Sequence, residues 1–343
     1  MKIPHSRPTI NEEDINRVVS NLRSGLIAYG KEVEMFKHEI SRYVGVLGGI
    51  ATNSGTNALH LALKTLGIKH GDEVILPSYV CASVLSAVNY TGATPIFADI
   101  EDDGYNINHR SAAEKTTKNT KALIVPHMFG TPADLDGFSK LGLPIIEDCA
   151  QAIGAEYKGK KVGSFGDLSI FSFYATKVMT TGHGGMVLSN SPKMLEKLRD
   201  LTEYDEREKY DISYNYEMTD FQAALGRNQL NRLEAFIRQR CNIADIYDDA
   251  FKSIRQPARK NRDGICFRYI VDVEDADKYI EDMRKHEINC AKPVFKALHE
   301  YFDMDSKDFP NTERAMKRAV SIPIYPSLIN DEINYICKII KKI

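Results

Sequence analysis

The sequence predicts an α/β fold built on a mainly parallel β-sheet. Short apolar segments bounded by turn residues alternate with stretches in which apolar residues recur at helical spacing. Continuous apolar character over a short segment is typical of strands that are buried on both faces of a sheet. The segments with this character are 73–78, 94–99, 121–126, 144–148, 167–173 and 185–189.

The stretches between and after these segments predict helices and a second domain. Residues 57–66 have one broad apolar face, and 82–90 have a similar pattern. From Thr219 the chain continues with helical spacing and without proline, which predicts one long helix leading into a smaller domain. There, 267–273 is expected to form a strand and 329–343 a closing amphipathic helix. We expect a large domain over 1–235 and a small one over 236–343.

Composition excludes several classes of protein. The chain has 343 residues, with 45 Lys and Arg against 47 Asp and Glu, a net charge of −2. This balance provides no excess of positive charge for nucleic acid. No signal peptide is apparent, and no apolar run reaches the ~18 residues that a bilayer-spanning helix needs. We expect a cytoplasmic protein with neither a nucleic-acid nor a membrane partner.

The cysteines predict no metal site. They are widely scattered and include no CxxC pair, so reduced thiols are expected. The positions are Cys81, Cys149, Cys241, Cys266, Cys290 and Cys337.

A possible phosphate site lies at the start of the 57–66 helix, in the sequence NSGTNA of residues 53–58. Gly55 in a tight turn would let backbone N–H groups, the hydroxyls of Ser54 and Thr56 and the helix dipole converge on one phosphate. The alternative is that Ser54 or Thr56 only caps the helix.

Two acids follow the apolar segment 144–146. Ligands bind at the carboxyl ends of parallel strands, so an acid here is well placed to meet a cationic ligand atom. Glu147 and Asp148 point in opposite directions in an extended chain, so we expect only one of them to face the site. The alternative is a solvated acid at the end of a strand.

Lys177 lies between the apolar strand 167–173 and a glycine-rich turn. Burial or a neighbouring cation would lower its pKa and free the amine for Schiff-base chemistry, whereas a lysine that extends to solvent is the alternative. A phosphate cup, a carboxylate and a lysine are together what pyridoxal phosphate requires for its phosphate, ring nitrogen and aldehyde. The three motifs therefore predict pyridoxal 5'-phosphate as the cofactor.

The sequence resembles the DegT/DnrJ/EryC1/StrS sugar aminotransferases, which are fold type I pyridoxal phosphate enzymes. The resemblance implies a large domain with a mainly parallel seven-stranded sheet and a smaller α+β C-terminal domain. It covers nearly the whole chain and is carried by 24–45, 53–63, 71–78, 92–100, 127–135, 147–155, 171–185, 214–230 and 321–328.

The resemblance also implies residue roles. Lys177 would bind the cofactor aldehyde and move protons, Asp148 would pair with the pyridine nitrogen, and Gln151 would approach the ring hydroxyl. Asn215 matches an asparagine that reaches the phosphate from a neighbouring subunit, which implies a homodimer with shared active sites. The phosphate would be held by Ser54, Gly55, Thr56 and Ser172.

On the substrate side the resemblance points to Tyr29 and to His299, which matches a histidine near the substrate. The chain also departs from the family. Cys81 stands where an aromatic residue usually stacks on the cofactor ring, so either Cys81 or Tyr79 covers the ring, and we favour Cys81. The other departures are His183 in place of a glutamate, Glu217 in place of an arginine and Ala297 in place of a proline.

Glu217 bears on the substrate, because an arginine near an active-site loop is a natural partner for a phosphate or carboxylate. Its replacement by Glu217 weakens the expectation of a standard nucleotide-sugar substrate. Equally, Glu217 is interpretable as an acid at a helix N-terminus with no role in substrate binding.

The predicted function is transfer of an amino group, expected to come from glutamate, to a keto sugar, expected to be nucleotide-linked, in surface polysaccharide or glycoside biosynthesis. Because Lys177 is present, transamination is favoured over the dehydration performed by relatives that carry histidine there. A non-nucleotide keto sugar or cyclitol is an alternative acceptor, and a non-catalytic cofactor-binding regulator is an alternative of another class. Specificity is expected to lie in loops that include 202–216 and 255–265.

Overall fold

A seven-stranded sheet forms the centre of the computed structural model, which describes residues 1–205, 207–251 and 264–342. The spatial order of its strands is β1-β9-β8-β5-β4-β2-β3. The strands are β1 Gly48–Thr52, β2 Glu73–Pro77, β3 Thr94–Ala98, β4 Thr120–Pro126, β5 Ile145–Asp148, β8 Leu168–Ser172 and β9 Gly185–Ser189. A separate short hairpin is formed by β6 Glu156–Tyr157 and β7 Lys160–Lys161.

The sheet is mainly parallel, as predicted. Only β9 runs against its neighbours β1 and β8, and the other pairs are parallel. The carboxyl ends of the central strands therefore meet at one edge of the sheet. Strand β5 ends at Asp148 and β8 ends at Ser172, which brings both residues to that edge.

Helices cover both faces of this sheet, which explains why its strands are apolar throughout. Alternate strand residues face opposite layers: Val74 and Leu76 pack with α3, α4 and α7, whereas Ile75 packs with α5 and α6. Helices α2 and α8 cover the β1 end of the second face. The helices of this part are α1 Glu12–Ser24, α2 Lys31–Val44, α3 Gly55–Thr65, α4 Ala82–Tyr90, α5 His109–Glu114, α6 Leu135–Ser139, α7 Pro192–Thr202 and α8 Asp220–Asn231.

The C-terminal part contains a two-stranded antiparallel sheet, β10 Tyr269–Asp272 and β11 Ala319–Ile322. The strand predicted over 267–273 is thus confirmed. The N-terminal arm joins this part, since Ile3 forms a bridge with Ile288. The boundary near 235 stays a prediction. The helices here are α9 Leu233–Ala250, α10 Ala276–Lys285, α11 Pro310–Arg318 and α12 Asn330–Ile340.

The expectation of one long helix after Thr219 is wrong, because the helix divides at Arg232 into α8 and α9. The end of α8 is fixed to α1: Arg232 Nη1 donates to Asp14 Oδ2 at 2.8 Å, and Asn228 and Gln229 bond to the same carboxylate. This anchor lets α9 leave α8 and enter the C-terminal part. Neither proline nor glycine marks the break, so the sequence pattern does not reveal it.

No described helix is both long and apolar enough to cross a lipid bilayer.

Candidate active site

A cavity of about 300 Å³ opens at the carboxyl edge of the sheet, where α3 begins and where β5 and β8 end. It brings together most of the residues predicted from the three motifs. Its lining residues are Ser54, Gly55, Thr56, Leu59, Cys81, Ser83, Val84, Asp148, Ala150, Ile170, Ser172, Tyr174, Lys177, His183 and Gly184.

The N-terminus of α3 forms one end of this cavity. Ser54 caps the helix by accepting a hydrogen bond from the Asn57 N–H at 3.2 Å, so the predicted cap is present. A Cβ on Gly55 would lie 2.8 Å from the Ser172 Cβ, which only glycine avoids. In the described part of the chain, the hydroxyls of Thr56 and Ser172 have no hydrogen-bond partner. Free N–H groups, two hydroxyls and a helix dipole here suit a phosphate group.

Asp148 provides the carboxylate of the cavity. Its Oδ1 accepts from the Ala150 N–H at 3.0 Å. Burial raises the pKa of Asp148 above its ordinary value, although the Ala150 bond and the charge of Lys177 counteract this effect. A buried carboxylate with so little compensation suits a cationic ligand atom.

Glu147 points away from the cavity, as the strand alternation predicts. Its carboxylate accepts from His127 Nε2 at 3.1 Å and from the N–H groups of Gly163, Phe165 and Gly166. The His127 Nδ1 accepts from the Ala133 N–H. His127 and Glu147 lie near Cys149, a combination of metal-ligand types. Because both ring nitrogens and both carboxylate oxygens already have protein partners, the cluster is a structural network that ties β4 to β5.

Lys177 enters the cavity from the loop after β8. Burial lowers the pKa of its amine, and the neighbouring charge of Arg268 acts in the same direction, while Asp148 counteracts both. The Lys177 Nζ lies 5.7 Å from the centroid of the Phe267 ring. The side chain is therefore half-buried and aimed at the site, unlike a lysine that extends to solvent.

Cys81, and not Tyr79, lines the cavity. Tyr79 is fully buried and stacks on Tyr105 at 5.9 Å between ring centroids, inside the core. Cys81 precedes α4 and is exposed, with the Ser83 hydroxyl 3.3 Å from its Sγ. This placement agrees with the choice of Cys81 as the residue that covers the cofactor ring, which stays a prediction.

Of the predicted residues Gln151 and His183, only His183 lines the cavity. Gln151 does not line it, and its Oε1 accepts the Phe129 N–H at 3.1 Å. His183 does line it and makes an edge contact with Tyr174 at 4.9 Å between ring centroids.

Tyr29 and Glu217 do not line this cavity. Both line a groove of about 1070 Å³ that runs along β1. Tyr29 donates to Glu34 and accepts from Lys37 Nζ at 2.8 Å. Glu217 pairs with Thr52 in an isolated bridge.

His299 and Asn215 are not brought to the cavity either. His299 is fully buried, with its Nδ1 2.7 Å from Ser78 Oγ and its ring stacked on Phe309. Its Nε2 lies 3.1 Å from Glu313 Oε1. Asn215 is exposed on the surface of the protomer.

Sequence comparison assigns the chain to a family. The model of the DegT/DnrJ/EryC1/StrS aminotransferase family matches residues 8–341. The chain belongs to this family.

Two named relatives match most of the chain. The chain is 34% identical to GDP-perosamine synthase of Escherichia coli O157:H7, over 99% of this chain and 98% of that protein. It is 31% identical to dTDP-3-amino-3,4,6-trideoxy-alpha-D-glucose transaminase of Micromonospora megalomicea subsp. nigra, over 90% of this chain and 88% of that protein.

The fold agrees with solved members of the family. A sugar aminotransferase of Streptococcus pneumoniae in its pyridoxamine phosphate form has a TM-score of 0.94 and 28% identity, covering 100% of this chain and 97% of that chain. The same enzyme is solved in its pyridoxal phosphate form. The chain is therefore a fold type I, pyridoxal phosphate-dependent aminotransferase. The start of α3, the Asp148 carboxylate and the Lys177 amine around the cavity fit that cofactor.

Several residues that line the cavity or lie next to Lys177 are not predicted from the sequence. Ala150 and Gly184 belong to motifs that were recognised, so their spacing from Asp148 and Lys177 was the available signal. Phe267 and Arg268, which lie next to Lys177, were read only as part of a strand, since nothing in the local pattern connects them to the lysine.

Proposed function

We propose that this protein transfers an amino group from glutamate to the keto group of a nucleotide-linked sugar in polysaccharide or glycoside biosynthesis. The observation that carries the proposal is that one cavity joins the start of α3 to Asp148 and Lys177. The names of the GDP- and dTDP-linked relatives support a nucleotide-linked acceptor.

Different residues of the cavity would bind different parts of the cofactor. Pyridoxal phosphate, when bound, supplies an aldehyde and an electron-accepting ring. The start of α3 and the Ser172 hydroxyl would hold the phosphate. Asp148 would hold a proton on the ring nitrogen, since a buried carboxylate gains most from a cationic partner. Cys81 would cover the ring from the α4 side.

Lys177 is the group that moves protons. Burial lowers the pKa of the Lys177 amine, which increases the fraction of neutral amine, the state that a base requires. Its Nζ would take the proton from the α-carbon of the amino donor and deliver it to the cofactor. The same Nζ would bind the cofactor aldehyde between turnovers.

A cluster of cations supports an acidic donor. The guanidinium of Arg268 lies 5.0 Å from the centroid of the Phe267 ring, and that of Arg240 lies 5.7 Å from it. Lys177 contacts the same ring. Burial lowers the pKa of Arg268 to about 10, and in the described residues no carboxylate pairs with it. A carboxylate of glutamate would provide the missing counter-charge.

The position of Arg268 is maintained by the N-terminal arm. Arg268 Nη1 lies 3.0 Å from His5 Nε2, and that nitrogen is 2.9 Å from Ser321 Oγ. Burial and the charge of Arg268 lower the pKa of His5 to about 3, so His5 is neutral and able to accept. The backbone N–H of Arg268 also donates to the Phe129 carbonyl at 3.4 Å. The N–H of Phe129 in turn donates to Gln151 Oε1. Arg268 thus lies on the side where Gln151 is expected to meet the ring hydroxyl.

The groove along β1 is the proposed acceptor site. Its volume of about 1070 Å³ exceeds that of the cavity. Its lining includes charged side chains of both signs, namely Lys37, Arg199, Arg207, Glu34, Glu203, Asp205 and Glu217. Such a groove suits a substrate larger than a single sugar. Most of the second predicted specificity loop, 255–263, and residue 206 of the first lie outside the described residues.

Glu217 faces this groove and is not part of a helix. Helix α8 begins at Asp220 with Thr219 as its cap, so Glu217 precedes the cap by two residues. This position weakens the interpretation of Glu217 as a helix N-terminal acid. Its charge also contributes, after burial and Glu34, to raising the pKa of Tyr29. We propose that Glu217 accepts hydrogen bonds from sugar hydroxyls.

We also propose a homodimer with shared active sites. Asn215 is exposed and lies outside the cavity of its own protomer. A position on the surface is compatible with a side chain that reaches the phosphate of a neighbouring subunit.

A product assay tests the acceptor. The enzyme loaded with cofactor is incubated with 15N-glutamate and with keto sugars linked to GDP or dTDP, and in parallel with the same sugars lacking the nucleotide. We expect 15N in the nucleotide-linked products and none with the Lys177→Ala variant. Labelling of the free sugars alone would assign the enzyme to the non-nucleotide alternative, and no labelling from any acceptor would overturn the proposal.

A further inference from the structure

Two cysteines that are distant in sequence meet next to the proposed donor site. Cys241 belongs to α9 and Cys266 precedes β10, and their sulfur atoms lie 3.1 Å apart. Both are thiols and both are partly exposed. A disulfide requires a sulfur separation of ~2.05 Å, so an approach of about 1 Å would join them.

A buried cation lies beside both sulfur atoms. Arg240, adjacent to Cys241, donates from Nη1 to the Phe267 carbonyl at 3.0 Å and to the Ile324 carbonyl at 2.7 Å. The charges of Cys241 and Cys266 both act on its guanidinium. A fixed positive charge favours the thiolate, which is the nucleophile in thiol-disulfide exchange.

The same contacts connect the thiols to the site. Cys266 is followed directly by Phe267 and Arg268, whose side chains neighbour Lys177. Movement of Cys266 toward α9 therefore moves the chain segment that carries Arg268.

We propose that Cys241 and Cys266 form a reversible disulfide that slows the reaction of the enzyme with its amino donor. The effect on the donor rests on the function proposed above, whereas the formation of the disulfide does not. The oxidant is a small-molecule disulfide such as glutathione disulfide.

The exchange proceeds in two balanced steps. One cysteine thiolate attacks a sulfur of glutathione disulfide, forming a mixed disulfide and releasing one glutathione thiolate, which takes up a proton. The second cysteine then attacks the protein sulfur of the mixed disulfide and releases the second glutathione. Two electrons and two protons pass from the pair to the oxidant, and dithiothreitol reverses the change.

The size of the expected effect follows from the geometry. The sulfur atoms approach by about 1 Å, and a displacement of that size in a group that positions substrate costs up to ~10²-fold in rate. We expect kcat/KM for glutamate to fall at least about tenfold on oxidation.

Peptide mapping tests the link. The reduced enzyme with bound cofactor is treated with glutathione disulfide, remaining thiols are alkylated, and the digest is analysed by mass spectrometry. We expect a Cys241–Cys266 peptide pair in the wild type and in Cys337→Ser, a matched change of another partly buried thiol. Neither Cys241→Ser nor Cys266→Ser should give it. Glutathione bound separately at both positions, without the internal link, would overturn the proposal.

Kinetics test the consequence. In the oxidised wild type, kcat/KM for glutamate should fall and recover with dithiothreitol, while Cys266→Ser should be insensitive to oxidation. A linked enzyme that reacts with glutamate at the reduced rate would contradict the regulatory role. A reduced wild type that reacts with no amino donor would contradict the proposed function instead, and the peptide map would still decide whether the disulfide forms.

Discussion

Asp148 and Lys177 are the two ionisable residues to which we assign the central roles in the proposed reaction, and each affects the pKa of the other. The carboxylate favours the charged form of the lysine, while burial opposes charge on both side chains. Bound pyridoxal phosphate would relieve this opposition, because its ring nitrogen would give Asp148 an ionic partner and its aldehyde would give Lys177 a covalent one.

Replacing Asp148 by Asn tests its role at the ring nitrogen. The variant keeps the shape of the side chain but removes the charge that would hold a proton there. We expect the rate of the donor step to fall about 10²- to 10³-fold, with the cofactor still bound. Stopped-flow absorbance measures this rate, and a variant within threefold of the wild type would be incompatible with the assigned role.

Replacing Arg268 by Gln tests the donor site. A charge-assisted hydrogen bond contributes about 1.5–3 kcal/mol, so KM for glutamate should rise about 10- to 100-fold. The KM for the keto acceptor should be unchanged. Arg318→Gln is the matched control, because Arg318 is paired with Asp272 at the end of β10. An unchanged KM for glutamate in a folded Arg268→Gln enzyme would exclude this role.

At this scale, local motifs were predictable and long-range contacts were not. Gly55, Asp148 and Lys177 each belong to a short sequence motif whose chemistry predicts a role in ligand binding. The position of the Arg268 guanidinium depends on its contact with His5, which is 263 positions away in sequence. No local pattern connects the two.

Among the elements, strands with continuous apolar sequence were predictable, whereas β1 was not. Its sequence is GGIAT, which has two glycines and little apolar character. It is a strand because β9 pairs with all five of its residues. The division between α8 and α9 was missed for a similar reason, since the contact with Asp14 that fixes it lies in α1.

The start of α3 offers a test of the phosphate cradle. Gly55→Ala would place a Cβ 2.8 Å from the Ser172 Cβ, so α3 or β8 must shift. We expect the dissociation constant of pyridoxal phosphate to rise about 5- to 150-fold, because overpacking of this kind costs about 1–3 kcal/mol. Equilibrium dialysis measures it, and circular dichroism checks the fold. Cofactor affinity equal to that of the wild type would show that the close approach of α3 to β8 is unimportant.

The contact between β4 and β5 predicts a pH dependence of stability. Burial tends to raise the pKa of Glu147, but hydrogen bonds from His127, Gly163 and Gly166 hold it below its ordinary value of 4.5. A carboxyl whose pKa is lower in the folded state stabilises the fold fully above its unfolded pKa. This contribution is lost as the pH falls through the folded pKa.

Glu147→Gln tests this linkage. The variant should be about 3 kcal/mol less stable near neutral pH, because it breaks a buried pair. Its free energy of unfolding should then fall less than that of the wild type as the pH drops below about 5. Urea unfolding at several pH values measures both quantities. Parallel pH profiles for the two proteins would refute the assignment.

For the whole molecule, the fold class followed from the order of strands and helices and from a family resemblance over nearly the whole chain. The family match over residues 8–341 agrees with both. The substrate did not follow, because the groove along β1, which we propose as the acceptor site, is lined by segments that are distant in sequence.

Mixing two inactive variants tests the shared active sites. In a dimer of one Lys177→Ala and one Asn215→Ala protomer, one site would carry both defects and the other would carry neither. If sites are shared, random mixing should restore about a quarter of wild-type activity. The variants alone and unmixed are the controls. If two inactive variants restore nothing when mixed, Asn215 acts in its own protomer, and an Asn215→Ala variant that is fully active alone would show that Asn215 has no role.

The most direct test of the central claim is the absorbance spectrum of the purified protein with pyridoxal phosphate, before and after addition of glutamate, with Lys177→Ala in parallel. The account predicts a visible band that glutamate bleaches as the cofactor takes up the amino group, and no such lysine-bound band in the variant. A wild-type band that glutamate leaves unchanged would contradict the assigned donor, and a band identical in wild type and variant would contradict the role of Lys177.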